Sequence, residues 1–420
     1  MKRALALLGV ALSLSVTGVS AAEEGVIRLD PLVQEAIAKN PKIQAARDRH
    51  AALKEKIPQA GALEDPMLGA GVVNLPNNFD FNQEDMTMKE VSVSQKFPFP
   101  GKRGLSEEVA AKEADAGAAE VDEIANQVTR DVKSTFYDLS HVYRATEVTQ
   151  RYKSILEELV KTAQTRYSLG LGIQDDIIRN QVEISKMVDD LTMLQQKKRA
   201  IAAKLNYLLN RPQNSPVGQP AELDFSRVEI SIEKLQQQAL TDSPMLKALK
   251  QDIAGRTKSV ALAKKDYFPD FSLKLAYGQR DDRLDMYTGM VEMNLPIFFK
   301  SKQERKVAEA YADVRSAQAK YDSAQNELFF MIADMGSMAQ RLERKIDLYR
   351  TGIIPQARLQ IDTAMSAYMV NKADFMTLLD SRMRLYRYEL DYHEALTDYE
   401  KSLAALEAAV GTTFSREVVK

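Results

Sequence analysis

The clearest pattern in the chain is a run of strict alternation between apolar and polar positions. Phe271, Leu273, Leu275 and Tyr277 alternate with Ser272, Lys274, Ala276 and Gly278. Beyond a polar turn at 280–285, Tyr287, Val291, Met293 and Leu295 alternate with Thr288, Met290, Glu292 and Asn294. A period of two gives a strand one apolar and one polar face. The same pattern echoes between Met67 and Phe97 across a polar loop at 76–85. Strands are therefore predicted at about 67–74, 86–97, 271–279 and 287–295. Arms of ~9–11 residues are the length a tilted strand needs to cross a bilayer.

Everything else reads as helix. Asp30-Pro31 is a sound helix start, and Asn40-Pro41 divides two short helices. A proline-free run predicts one long helix over about 106–168, with Val128, Val132, Phe136, Leu139 and Tyr143 along one face. After a turn at Leu169–Ile173, a second long helix is predicted over about 175–209. The order then repeats, with predicted helices at about 301–369, interrupted near Gly352 and Pro355, and at about 374–409. In the last of these Leu378, Leu385, Tyr392, Tyr399 and Leu406 fall seven apart, the spacing of a coiled-coil seam. Ala239–Leu246 echoes Ala36–Ile43, and the two strand pairs echo each other. The predicted organisation is a signal peptide at 1–21, a first repeat at 22–210, a linker at 211–228, a second repeat at 229–411 and a tail at 412–420. Each repeat reads helix, strand, strand, long helix, turn, long helix.

Composition narrows the function. The 57 basic and 59 acidic residues nearly cancel, which argues against a nucleic-acid partner. A basic start at Lys2-Arg3, an apolar run over 4–16 and a small-residue site at Val19–Ala21 predict export from the cytoplasm. Cysteine is absent, so no disulfide framework is available. His50, His141 and His393 lie far apart, and no metal-ligand spacing, phosphate loop or catalytic triad is present. Nothing points to an enzyme, a cofactor or a metal centre. Met331, Met335 and Met338 share a helical face where thioethers suit soft Cu(I), although core packing is the commoner use. The acidic turns near 80–85 and 281–285 read as solvated loops.

Four strands cannot close a membrane barrel, and an open edge in lipid strands backbone groups at several kcal/mol each. Three copies would supply twelve strands, an even number within the range of outer-membrane barrels. The predicted fold is thus mainly α with a β-barrel. A homotrimeric twelve-stranded barrel, four strands per chain, would stand on a long α-helical cylinder. The competing reading is a secreted coiled-coil scaffold without a pore.

The same residues resemble the TolC-like outer-membrane factor family of tripartite efflux and type I secretion, over about Leu29 to Gly411. The resemblance rests on the duplicated Ala36–Pro41 and Ala239–Pro244 starts, Leu205–Pro212, Pro355–Ala357, Ala367-Tyr368, Asp374–Ser381 and Leu406–Gly411. Ser94–Arg103 looks most like the branch serving heavy-metal pumps of the resistance–nodulation–division (RND) type. The resemblance implies an outer-membrane duct reaching into the periplasm, in contact with outer-membrane lipid. A periplasmic adaptor and an inner-membrane RND pump would open it for metal cations or small toxic compounds. Export of protein in a type I secretion system is the alternative.

The resemblance also marks residues. Leu169, Gly170, Val370 and Asn371 fall at the helical tips where an adaptor docks. Asp176 and Tyr368 fall where a gating hydrogen bond is found, and Asp380 where a pore-facing carboxylate stands. Thr377 and Ala373 depart from the family's aspartate and arginine, which implies a different or weaker lock.

Overall fold

The computed structural model describes residues 25–370, 372–415 and 417–418. The expected signal peptide lies outside them. The first half runs α1 (Leu29–Lys39), α2 (Pro41–Gly61), β1 (Met67–Val73), β2 (Met88–Phe97), α3 (Lys102–Ser168) and α4 (Gln174–Leu208). A two-residue strand β3 (Ser226–Arg227) follows. The second half runs α5 (Ile232–Asp242), α6 (Pro244–Lys265), β4 (Phe271–Gln279), β5 (Met286–Met293), α7 (Gln303–Leu348), α8 (Ile354–Met369) and α9 (Phe375–Val410). The chain then reaches a second two-residue strand, β6 (Glu417–Val418).

Local chemistry explains the breaks. Asn40 is extended, and its side chain accepts a hydrogen bond from the Lys42 amide at 2.9 Å while donating to the Leu208 carbonyl at 2.8 Å. One side chain thus caps α2 and ties it to the end of α4. Pro41 and Pro244 sit at the first helical position, where their missing N–H costs nothing. Pro355 acts differently. It cannot donate to the carbonyl four residues back, and a π-turn at Tyr349–Ile353 separates α7 from α8.

The four strands form one antiparallel sheet in the order β1-β2-β4-β5. Val91 pairs with Tyr277 and Val93 with Leu275, while Leu275 and Leu273 oppose Gly289 and Val291. Leu68, Val91, Val93, Leu273, Leu275, Tyr277, Tyr287 and Val291 therefore share one face, and all of them are exposed in the single chain. The opposite face carries Gly69, Gly71, Glu90, Ser92, Ser94, Ser272, Lys274 and Thr288, with Lys274 paired to Glu90 at 2.9 Å. Apolar outside and polar inside is the arrangement of a membrane barrel wall. Among the described residues, the outer edges of β1 and β5 have no strand partner. No described helix is long and apolar enough to cross a membrane.

From the base of this sheet α3 runs 67 residues, on the order of 100 Å. It packs on α2 and α6 near the sheet and on α4 and α9 further away. Four of the five heptad residues of α9 are core, Leu378, Leu385, Tyr399 and Leu406, while Tyr392 is half-buried against the cluster that holds Tyr399. Met335 and Met338 pack against apolar clusters around Ile332 and Ile346. The region expected as a linker is tied down. Ile27 and Pro220 form a parallel bridge, and β3 pairs with β6.

Gly411 ends α9 at φ +85°, and a Cβ there would lie 2.8 Å from the Asp242 carbonyl. A left-handed conformation costs a non-glycine residue about 1–3 kcal/mol. Gly411→Ala should therefore lower the thermal midpoint read by helical circular dichroism, whereas Gly71→Ala, with open space around it, should not.

Candidate functional site at the helix tips

At the first tip, α3 ends in a Schellman turn. The Gly170 amide donates to the Tyr167 carbonyl at 3.0 Å and the Leu171 amide to the Arg166 carbonyl at 2.8 Å. Gly170 holds φ +73°, and no neighbouring atom lies within 4 Å of where its Cβ would be. Glycine is there for the backbone alone. The turn presents Leu169 at 67%, Leu171 at 54% and Ile173 at 61% exposure. At the second tip the Lys372 amide reaches back to the Ala367 carbonyl at 2.8 Å. Met369 and Val370 are exposed beside it. Asn371 lies outside the described residues. Asp374 then caps α9, accepting from the Thr377 amide at 2.8 Å and the Thr377 hydroxyl at 2.5 Å. Thr377 thus serves the cap.

Just behind the tips the two hairpins meet. Tyr368 is buried and packs edge-on against Phe375. The Arg166 guanidinium lies 4.4 Å from the Tyr368 ring centre, a cation–π contact joining α3 to α8. Asp176 and Tyr368 share no hydrogen bond among the described residues; the Tyr368 hydroxyl is enclosed on the Arg166 side of the junction. They are nonetheless electrostatic neighbours. Burial, together with the Asp176 charge, pushes the Tyr368 hydroxyl above its usual range, against the opposing charge of Arg166. Burial also raises the Asp176 carboxyl, with help from the charges of Asp175 and Asp374. Asp380 stands apart, one turn further along α9, exposed and 3.5 Å from Arg384.

This geometry is a pair of apolar tips on a packed polar and aromatic junction. The sequence pattern of the family described as "Outer membrane efflux protein" matches residues 32–211 and 235–412. The chain belongs to that family. The efflux protein resides in the outer membrane and is a channel component. Its fold matches solved channels at low identity. The outer membrane protein VceC from Vibrio cholerae is 18% identical, with a TM-score of 0.77, covering 92% of this chain and 97% of that one. CusC is 14% identical, with a TM-score of 0.79 over 91% and 92% of the two chains. The open state of the MtrE outer membrane channel of Neisseria gonorrhoeae is 17% identical, with a TM-score of 0.77 over 94% and 91%. No curated protein sequence gives a significant match.

Above the tips the efflux protein carries polar links that the sequence pattern does not announce. Glu389 of α9 is nearly buried and accepts from Arg151 of α3 and from Arg358 of α8. One turn closer to the tips, Tyr386 shares a 3.0 Å hydrogen bond with Thr149 and lies 3.4 Å from Asp190 of α4. Asn180 of α4 donates to the Leu156 carbonyl of α3 at 2.9 Å. Together these tie α9 to all three other helices of the lower cylinder.

Two of the three histidines, 252 positions apart in sequence (393 minus 141), are neighbours between α3 and α9. They line a cavity of about 420 Å³ with Arg144, Glu222 and Asp224 from around it. Burial lowers both imidazoles, and for His393 the charges of Arg144 and His141 act in the same direction. A base held below its unfolded value of 6.5 makes folding less favourable as it binds protons. Stability should therefore be full above pH 6.5 and fall as pH drops through the folded values. Thermal midpoints at pH 7.5 and 5.0 should differ more for the wild type than for His141→Gln/His393→Gln.

Proposed function

We propose that the protein is a passive trimeric exit duct of a tripartite efflux system. In this reading three sheets join edge to edge into a twelve-stranded barrel. The helices form a cylinder reaching into the periplasm, and the tips receive a periplasmic adaptor linked to an inner-membrane RND pump. One observation carries the reading. The four-stranded sheet has an apolar face, a polar face and two unpaired edges, which is one third of a barrel and not a stable object in lipid. Exposed apolar residues on the outermost helices, Ile178 and Val182 of α4 and Leu359 of α8, give neighbouring copies a seam to bury.

Metal cations or small toxic compounds are the proposed cargo. A ring of three Asp380 side chains would attract cations by their summed field. The exposed Leu169 and Val370 would dock the adaptor, with Gly170 shaping the first turn. Arg166 on Tyr368, with Asp176 beside it, would form the resting lock.

In planar bilayers the purified particle should conduct once Arg166→Ala releases the lock, and in that background Asp380→Asn should reduce cation selectivity and block by divalent ions. Unchanged selectivity would remove the carboxylate ring. Leu169→Asp with Val370→Asp should abolish cross-linking to the adaptor while leaving trimer mass and conductance intact. A soluble monomer, free of the membrane fraction, would sink the duct altogether.

A further inference from the structure

The stretch Ser94–Arg103 lies where β2 hands over to α3, at the helix-side end of the sheet. In the last row of that sheet Phe97 pairs with Phe271 and Phe271 with Met293, all on the apolar face. One step beyond, Phe99 stacks on Phe268 with ring centres 4.5 Å apart. The Lys265 ammonium lies 5.4 Å and 5.8 Å from those two rings. On the parallel crossover from β5 to α7, Leu295, Ile297 and Phe298 are 66%, 68% and 72% exposed, and Lys300 and Lys302 follow them. From strand to helix the order is apolar, aromatic, basic. That is the order of a bilayer passing from hydrocarbon through its interface to its headgroups.

The charges around this collar are unevenly matched. Asp266 and Asp270 are engaged by Lys102 at 3.1 Å and 2.9 Å, and Asp266 also by Lys306 at 2.6 Å. Glu64 is taken by Lys96 at 2.9 Å. Among the described residues Lys265, Lys300 and Lys302 have no carboxylate within ion-pair distance. Phe99, Phe268 and Lys265 extend the two central strands, away from the β1 and β5 edges where a second copy would join, whereas Phe298, Lys300 and Lys302 follow β5 and stand at one of those edges.

We propose that this collar binds the phosphate headgroup of an anionic phospholipid in the leaflet facing the helical cylinder. The Phe99–Phe268 stack and Phe298 seat at the interface, and Lys265, Lys300 and Lys302 meet the phosphate. Unmatched lysines at headgroup depth gain from negative lipid by about fivefold in affinity each. The proposal rests on the outer-membrane placement of the sheet and on no feature of the gate or cargo.

The test offers the purified full-length particle in detergent equal phosphatidylglycerol and phosphatidylcholine and reads bound lipid by native mass spectrometry. The wild type should retain phosphatidylglycerol preferentially. Lys265→Gln/Lys300→Gln/Lys302→Gln should lower that preference by about fivefold per lysine, with oligomer mass unchanged. Phe99→Leu/Phe268→Leu should weaken retention of both lipids. Equal retention by the wild type, or an unaltered preference in the triple variant, overturns the proposal. So does loss of preference only together with loss of the oligomer, which would make the collar a subunit contact. Bilayer conductance of the same sample reads the duct separately. A conducting particle without lipid preference sinks the collar alone, and a lipid-selective particle that stays non-conducting even with Arg166→Ala releasing the lock sinks the duct alone.

Discussion

A sheet of four strands carries two rows of unpaired backbone groups, and hydrocarbon offers them nothing to bond. Each such group costs several kcal/mol there, far more than side-chain packing at a strand edge returns. β1 and β5 are those rows. The apolar face that directs the sheet into lipid makes the demand absolute, because water cannot reach the edges to satisfy them. Assembly is thus written into the chain at its membrane end, and the rest of the molecule is built to tolerate it.

The helical part answers the same demand by a different route. α3 satisfies its own backbone over 67 residues and needs neighbours only for its apolar stripe. Within one chain that stripe finds α2, α6, α4 and α9, while apolar residues on the outer sides of α4 and α8 remain exposed. The breaks fall where covalent structure dictates them: Pro41 and Pro244 start helices, Pro355 forces a π-turn, and Gly170 and Gly411 permit left-handed exits. The π-turn lies at the level of the Glu389 links, since Tyr349 donates to Asp391 at 3.2 Å. An irregular turn and a buried carboxylate held by two exposed arginines therefore share one layer of the cylinder. Below that layer, α8 and α9 are held to α3 and α4 mainly by the apolar cluster around Leu156, Tyr368 and Leu378.

The tips show how chemistry and geometry divide their labour. Leu169 and Val370 are exposed because their turns close on the backbone and leave the side chains no neighbours to pack on. Tyr368, two residues before Val370, is buried because it faces the seam. Arg166 meets it from the facing helix, and both Tyr368 and Asp176 are shifted by burial in that junction. Asp380, by contrast, stays exposed with Arg384 for company.

Much of this was legible in one dimension. Period-two alternation marked the strands, and sevenfold spacing marked Leu378, Leu385, Tyr399 and Leu406 as core, because periodicity records which face of an element is buried. Prolines and glycines marked the breaks, since their backbone limits are local. What periodicity does not record is the partner. The links of Glu389 to Arg151, of Tyr386 to Thr149 and of Arg166 to Tyr368 join helices far apart in sequence. So do the meeting of His141 with His393 and the pairing of β3 with β6. Each depends on the order in which the helices stand around the cylinder. Long-range packing alone sets that order, so the sequence determined the elements and their faces, and the tertiary structure decided which polar groups those faces bring together.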